Sequence, residues 1–153
     1  MSRLLVHNGT CVLVCDGSIA LFHVNVGDAQ AISLKTIKTL HEPHPATRDL
    51  GTDRPGRSVD AMSGSRSSVA QTDFHDAAEV TFLRNVCDTL DEIVRDKQAK
   101  AVIVIAPPRA LGVLRVHLSS EVRRVLQAEF DKDLVKMPTP KVEEYLQAKG
   151  MLR

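Results

Sequence analysis

The chain has no tryptophan, one tyrosine (Tyr145) and four phenylalanines, so aromatic residues make up only 3% of it. That scarcity argues against the aromatic platform on which unpaired bases usually stack. Cysteine is scarce too, with only Cys11, Cys15 and Cys87. None of the three has CxxC or Cys/His spacing, which points away from a disulfide framework and from a zinc site. Cys11 and Cys15 lie in an apolar run and read as inert packing, since a free cysteine behaves as a small hydrophobe. No stretch of about 18 consecutive apolar residues occurs, so no membrane span is expected. The opening residues contain Arg3, but "VHNG" interrupts them before a signal-peptide core could form, and the expected location is cytoplasmic. Excess charge of one sign is also lacking. Twenty basic residues against nineteen acidic ones give +1, so any anion site must be local.

What is present suits one domain over residues 1–153. A hydrophobic fraction of 43% and a charged fraction of 25% are ordinary for a globular chain long enough to bury a core. "TCVLVC" (Thr10 to Cys15) is β-branched and apolar and reads as a strand; "DG" then predicts a hairpin into "SIALFHVN". "AISLKTIKTL" (Ala31 to Leu40) reads as a third strand, giving an N-terminal antiparallel meander. Ala78, Leu83, Val86, Leu90, Ile93 and Val94 fall at helical spacing and predict a long helix, with Asp73 as its N-cap. "AVIVIA" (Ala101 to Ala106) has the unbroken apolar run of a strand buried on both faces. A helix opened by Pro107 and Pro108 follows, then a short helix over "SSEVRRVLQAEF" with a Ser119 or Ser120 cap. "DKDLVKM" is expected as an edge strand and "TPKVEEYLQAKG" as a last helix stopped by Gly150. The fold class is α/β: a single-domain mixed sheet with the meander, a long polar loop and helices packed on the sheet.

That loop, at about 41–72, is poor in large apolar side chains and much longer than the usual connection of about four to six residues. Its center reads "DLGTDRPGRS". Arg48, Arg54, Arg57 and Arg66 supply planar guanidinium groups suited to phosphate or carboxylate. Gly51 and Gly56 permit close backbone approach, and Pro55 stiffens the turn. Asp53 and Asp60 are interleaved with the arginines. The segment therefore reads as an internal acid–base mesh, as a solvated loop, or as a site for an anion or a protein partner. Arg109 in "PPR" follows the buried strand, where ligands of open α/β sheets gather and where a helix N-terminus favors anions. The candidate anion or partner residues are thus Arg54, Gly56, Arg57, Arg66 and Arg109; Asp53, Asp60 and His75 are candidates for stabilizing the loop. No nucleophile is evident for His75 to activate, and "HEPH" (His41 and His44) matches metal spacing only loosely. No catalytic residue, metal or cofactor is expected.

"HNGTCVLVCDGSIALFHVN", "DLGTDRPGRS", "SSVAQTDFHDAAEVTFLRNV", "VIVIAPPRALGVLR" and "FDKDLVKMP" occur in that order. Together they resemble the bacterial host attachment family, proteins required for attachment to host cells, over roughly Leu4 to Leu146. That family is in turn similar to the middle domain of eukaryotic-type peptide-chain release factors. There a meander leads to an exposed Gly-Gly-Gln loop and then a long helix. At the corresponding place this chain has Gly64, Ser65 and Arg66, so the resemblance implies the shape without the hydrolytic signature.

Three functions remain open. One is a non-enzymatic binding protein that touches ribosome or RNA phosphate through the arginine-bearing loop. A second is an adhesion-related protein, as the family's description implies. The third is an enzyme of unknown substrate working at the loop and the carboxyl edge of the sheet. The loop could also receive a protein partner, and the sequence does not reveal the oligomeric state.

Overall fold

The protein is described by a computed structural model covering residues 4–42 and 64–151, with side chains for all of these except 64–75 and 151. Nine elements follow in order: β1 (Thr10–Cys15), β2 (Ile19–Asn25), β3 (Leu34–His41), α1 (Gly64–Arg95), β4 (Ala101–Ala106), α2 (Pro108–His117), α3 (Ser120–Val125), β5 (Leu126–Asp131) and α4 (Thr139–Met151). They build one five-stranded mixed sheet in the order β3-β2-β1-β4-β5.

β1 and β4 form the center. They pair in parallel, with Val12 opposite Ile103 and Val14 opposite Ile105. Every residue of β1 is buried, as its unbroken apolar run requires. β2 runs antiparallel to β1 and β3, so the meander forms as expected, although β3 starts at Leu34 rather than Ala31.

Alternation along these strands divides the core in two. One cluster joins Leu13, Phe22, Val102 and Val104 to Leu83, Val86 and Leu90 of α1, Leu111 and Leu114 of α2, and Val122 of α3. The other joins Val12, Val14, Ile103 and Ile105 to Val142 and Leu146 of α4. Three helices therefore cover one face of the sheet and α4 packs on the other. The expected stripe of α1 is the one that packs inward. Phe82 and Cys87 complete it, while Ala78 and Val94 are only half-buried.

Four sequence expectations need correction. α1 begins at Gly64, so Asp73 lies inside the helix and is not its N-cap. Nothing between Gly64 and Asp73 breaks a helix, because no proline occurs there and serine is only mildly unfavorable. The interval between elements is correspondingly shorter at both ends: His41 belongs to β3, and the Glu42 amide still donates to Ser18 O at 2.6 Å. α3 stops at Val125, and Leu126–Asp131 forms the edge strand that had been placed at "DKDLVKM". Leu126 and Phe130 gain ladder partners by lying parallel to β4, opposite Val102 and Ile105. Gly150 does not stop α4, which continues to Met151. Its role is spatial, since a Cβ at 150 would lie 2.9 Å from the Leu4 carbonyl oxygen.

Candidate functional site

The strand directions bring one set of residues together. β1, β3, β4 and β5 all point the same way, so Cys15, His41, Ala106 and Asp131 end on one edge of the sheet. The residue after each strand starts a turn, a connection or a helix at that carboxyl edge. α1 must run back the opposite way, because it feeds β4 at the other edge, where the Lys100 amide donates to Gly9 O at 2.8 Å. α1 therefore crosses the carboxyl edge around Asp76 and Glu79.

Three pieces build this edge. The first is the turn Asp16-Gly17-Ser18, held by Asp16 Oδ1, which accepts from the amides of Ser18 at 2.9 Å and Ile19 at 2.8 Å. The expected hairpin is thus an aspartate-centered turn. The second is Glu79 of α1, which lies directly over Gly17. A Cβ there would stand 2.8 Å from the Glu79 carboxyl carbon, so Gly17 provides space rather than an unusual backbone angle. The third is "PPR": Pro107 caps α2 in an extended conformation, Pro108 occupies its first turn, and Leu111 N donates to Pro107 O at 2.8 Å.

Arg109 reaches from that helix start to α1. Its guanidinium hydrogen-bonds Asp76 and lies 3.6 Å from Glu79 Oε1 through Nε. The hydrogen bond to Asp76, then the charges of Asp76 and Glu79, hold the Arg109 pKa above its ordinary value. The side chain is still 63% exposed, so its outer surface faces solvent while two carboxylates fix the inner one. Asp76 and Glu79 had not been identified from sequence as its partners. Their three-residue spacing puts both on one side of α1, but only the path of the chain brings that side to Arg109.

Arg54, Gly56, Arg57, Asp53 and Asp60 lie outside the described residues. Arg66 and His75 fall within α1, where the backbone places them beyond Asp76, away from the center of the sheet. The twelve residues 64–75 carry α1 about 18 Å farther at 1.5 Å per residue, so the helix overhangs the carboxyl edge.

The cysteines are unsuited to nucleophilic chemistry at neutral pH. Burial raises the Cys11 and Cys87 thiols to about 12, and burial followed by the charges of Asp16 and Cys87 raises Cys15 further. Among the described residues, no group of three or more His, Cys, Asp or Glu side chains could hold a metal ion. No helix among them is long and apolar enough to cross a membrane.

Over residues 11–146 the sequence matches the family model described as "Protein required for attachment to host cells". The chain belongs to this host attachment family. A comparison with curated proteins returns no match. Among solved structures, the chain is similar to the archaeal translation termination factor aRF1, at 13% sequence identity and a TM-score of 0.46, covering 78% of this chain and 29% of that one. A likeness at that level supplies no argument about what this host attachment protein binds.

Proposed function

We propose that this member of the host attachment family is a non-enzymatic binding protein whose partner-facing surface is the carboxyl edge of the sheet, and that arginines at this edge contact phosphate of RNA or ribosomes. The observation that supports it is topological. β3 delivers the chain to this edge at His41, and α1 takes it up again at Gly64 on a helix that overhangs the same edge. The intervening sequence contains Arg48, Arg54 and Arg57, Arg66 stands in the overhang, and Arg109 stands at its base. Arginine is the side chain best matched to phosphate oxygens.

Arg109 has a second role in this reading. By holding Asp76 and Glu79 it fixes the base of the overhang to α2. The non-enzymatic part is supported by the three buried thiols, whose raised pKa values leave them protonated at neutral pH.

The family's description favors a second reading, in which the protein serves attachment to host cells. Cell fractionation separates the two. The experiment compares the intact protein with a variant whose residues 43–63 are replaced by a glycine/serine segment of equal length. The proposal expects the intact protein to sediment with ribosomes and the variant to be lost from that fraction. Labeling of the intact protein at the cell surface, with none in the ribosomal fraction, would establish the attachment reading instead.

A further inference from the structure

Buried polar groups are almost always hydrogen-bonded, and those that are not call for an explanation. His23 is such a case. Its side chain is 1% exposed, on the sheet face covered by α4. Thr36 Oγ1 lies 2.9 Å from Nδ1, but Nε2 has no hydrogen-bond partner among the described residues. Nearby Asn25, equally buried, is fully used: its Nδ2 donates to Val6 O at 2.8 Å, and its Oδ1 accepts from Gly27 N and Ser33 N, each at 2.9 Å. Among the described residues, the orphan nitrogen is therefore peculiar to His23. The β2–β3 register also shifts there, between Phe22 and His23.

α4 supplies the charged neighbor. Glu143 Oε2 accepts from the Leu34 amide at 2.7 Å, tying α4 to the first residue of β3. Gln147 strengthens the tie, accepting from Ile32 N and donating to Ala29 O, each at 3.3 Å. Among the described residues, the other elements around the ring present no charge to it. β1 places Val12 opposite it, and Lys35 and Lys38 of β3 pair with Val24 and Phe22, which pack into the core on the other side of the sheet. Glu143 is the charged group that acts on the ring.

We propose that His23 is a pH-operated latch: protonating its ring draws the Glu143 carboxylate off the Leu34 amide and loosens α4 from the start of β3. Protonation turns both ring nitrogens into donors. Nδ1–H keeps Thr36, while Nε2–H must find an acceptor in a buried place. Glu143 is the available carboxylate, but it does not reach hydrogen-bonding distance while it caps Leu34. Burial lowers the His23 pKa below the ordinary 6.5, and Glu143 offsets this only in part. The closed form thus binds the proton less well than an opened one, so acid favors opening. The contact is fully closed above pH 6.5 and loosens as pH falls from there toward the folded-state pKa.

The test is amide hydrogen exchange followed by NMR on the intact chain between pH 7.5 and 5, with the His23 ring titrated in the same samples. The proposal expects the protection of Leu34, relative to Ile103 in central β4, to fall by up to about tenfold per pH unit below 6.5. It expects the ring to titrate below 6.5 and His23→Gln to abolish the fall. Glu143→Gln, which keeps an oxygen for Leu34 but removes the charge, should move the ring titration lower still. A constant Leu34 to Ile103 ratio, a ring titrating above 6.5, or tighter Leu34 protection in acid would overturn the latch.

Discussion

Leu90 is the clearest place to test the packing that sets α1 over the sheet. Its side chain is fully buried, in one cluster with Leu13 and Phe22 of the sheet and Leu114 of α2. Leu90→Ala removes atoms held between the sheet and a second helix, so the site can close only in part. Such substitutions cost about 2–5 kcal/mol, the transfer energy plus a cavity. A domain of this kind is stable by about 5–15 kcal/mol in all, so the loss is a large fraction. At roughly 2–4 °C per kcal/mol for a chain of this size, Tm should drop by about 4–20 °C. Urea unfolding followed by circular dichroism measures it, with an unchanged m-value showing that the unfolded state is not the cause. Val116→Ala is the control: Val116 is 73% exposed on α2, and its loss should stay within about 0.5 kcal/mol. If Leu90→Ala cost no more than Val116→Ala, the argued position of α1 would be wrong.

Three further outcomes follow from the same structure. Gly27→Ala should destabilize by about 1–3 kcal/mol, because its Cβ would fall 2.2 Å from Ala31 O, a backbone atom that cannot step aside; urea titration reads it. The three thiols should be nearly inert to a disulfide reagent at pH 8 in the native protein and all react in denaturant, since burial holds Cys11 and Cys87 at about 12. The purified protein should release no peptide from charged ribosomes; release that disappears in an Arg66 variant would contradict the non-enzymatic reading.

Much of the fold was legible because its signals are local and redundant. "TCVLVC" and "AVIVIA" announce a buried parallel pair by composition alone, and the α1 stripe announces its inward face by spacing. The misread elements lack such redundancy. "LQAEFD" continues a helical-looking run, and only the ladder beside β4 makes it a strand. Asp73 reads as the start of α1 because aspartate is a good cap, yet nothing in the residues from Gly64 onward prevents the helix from beginning earlier. Gly150 looked like a stop, but the close Leu4 carbonyl explains it. At the site, "PPR" was placed correctly at the end of a buried strand. Its acidic partners were not found, because Asp76 and Glu79 lie some thirty residues earlier in the chain and meet Arg109 only through the crossover. His23 carries no signal in the sequence for the same reason: Thr36 and Glu143 become its neighbors only in the folded sheet.

The central claim is that arginines at the carboxyl edge bind phosphate. A binding titration against ribosomal RNA, for the wild-type protein and Arg57→Ala at 50 and 200 mM salt (a range over which the Debye length falls by about half), tests it most directly. Wild-type affinity should fall steeply with salt, and Arg57→Ala should bind more weakly with a log–log salt slope smaller by about 0.7–0.9. Undetectable binding by both proteins, or equal affinity and equal slope, would contradict the account.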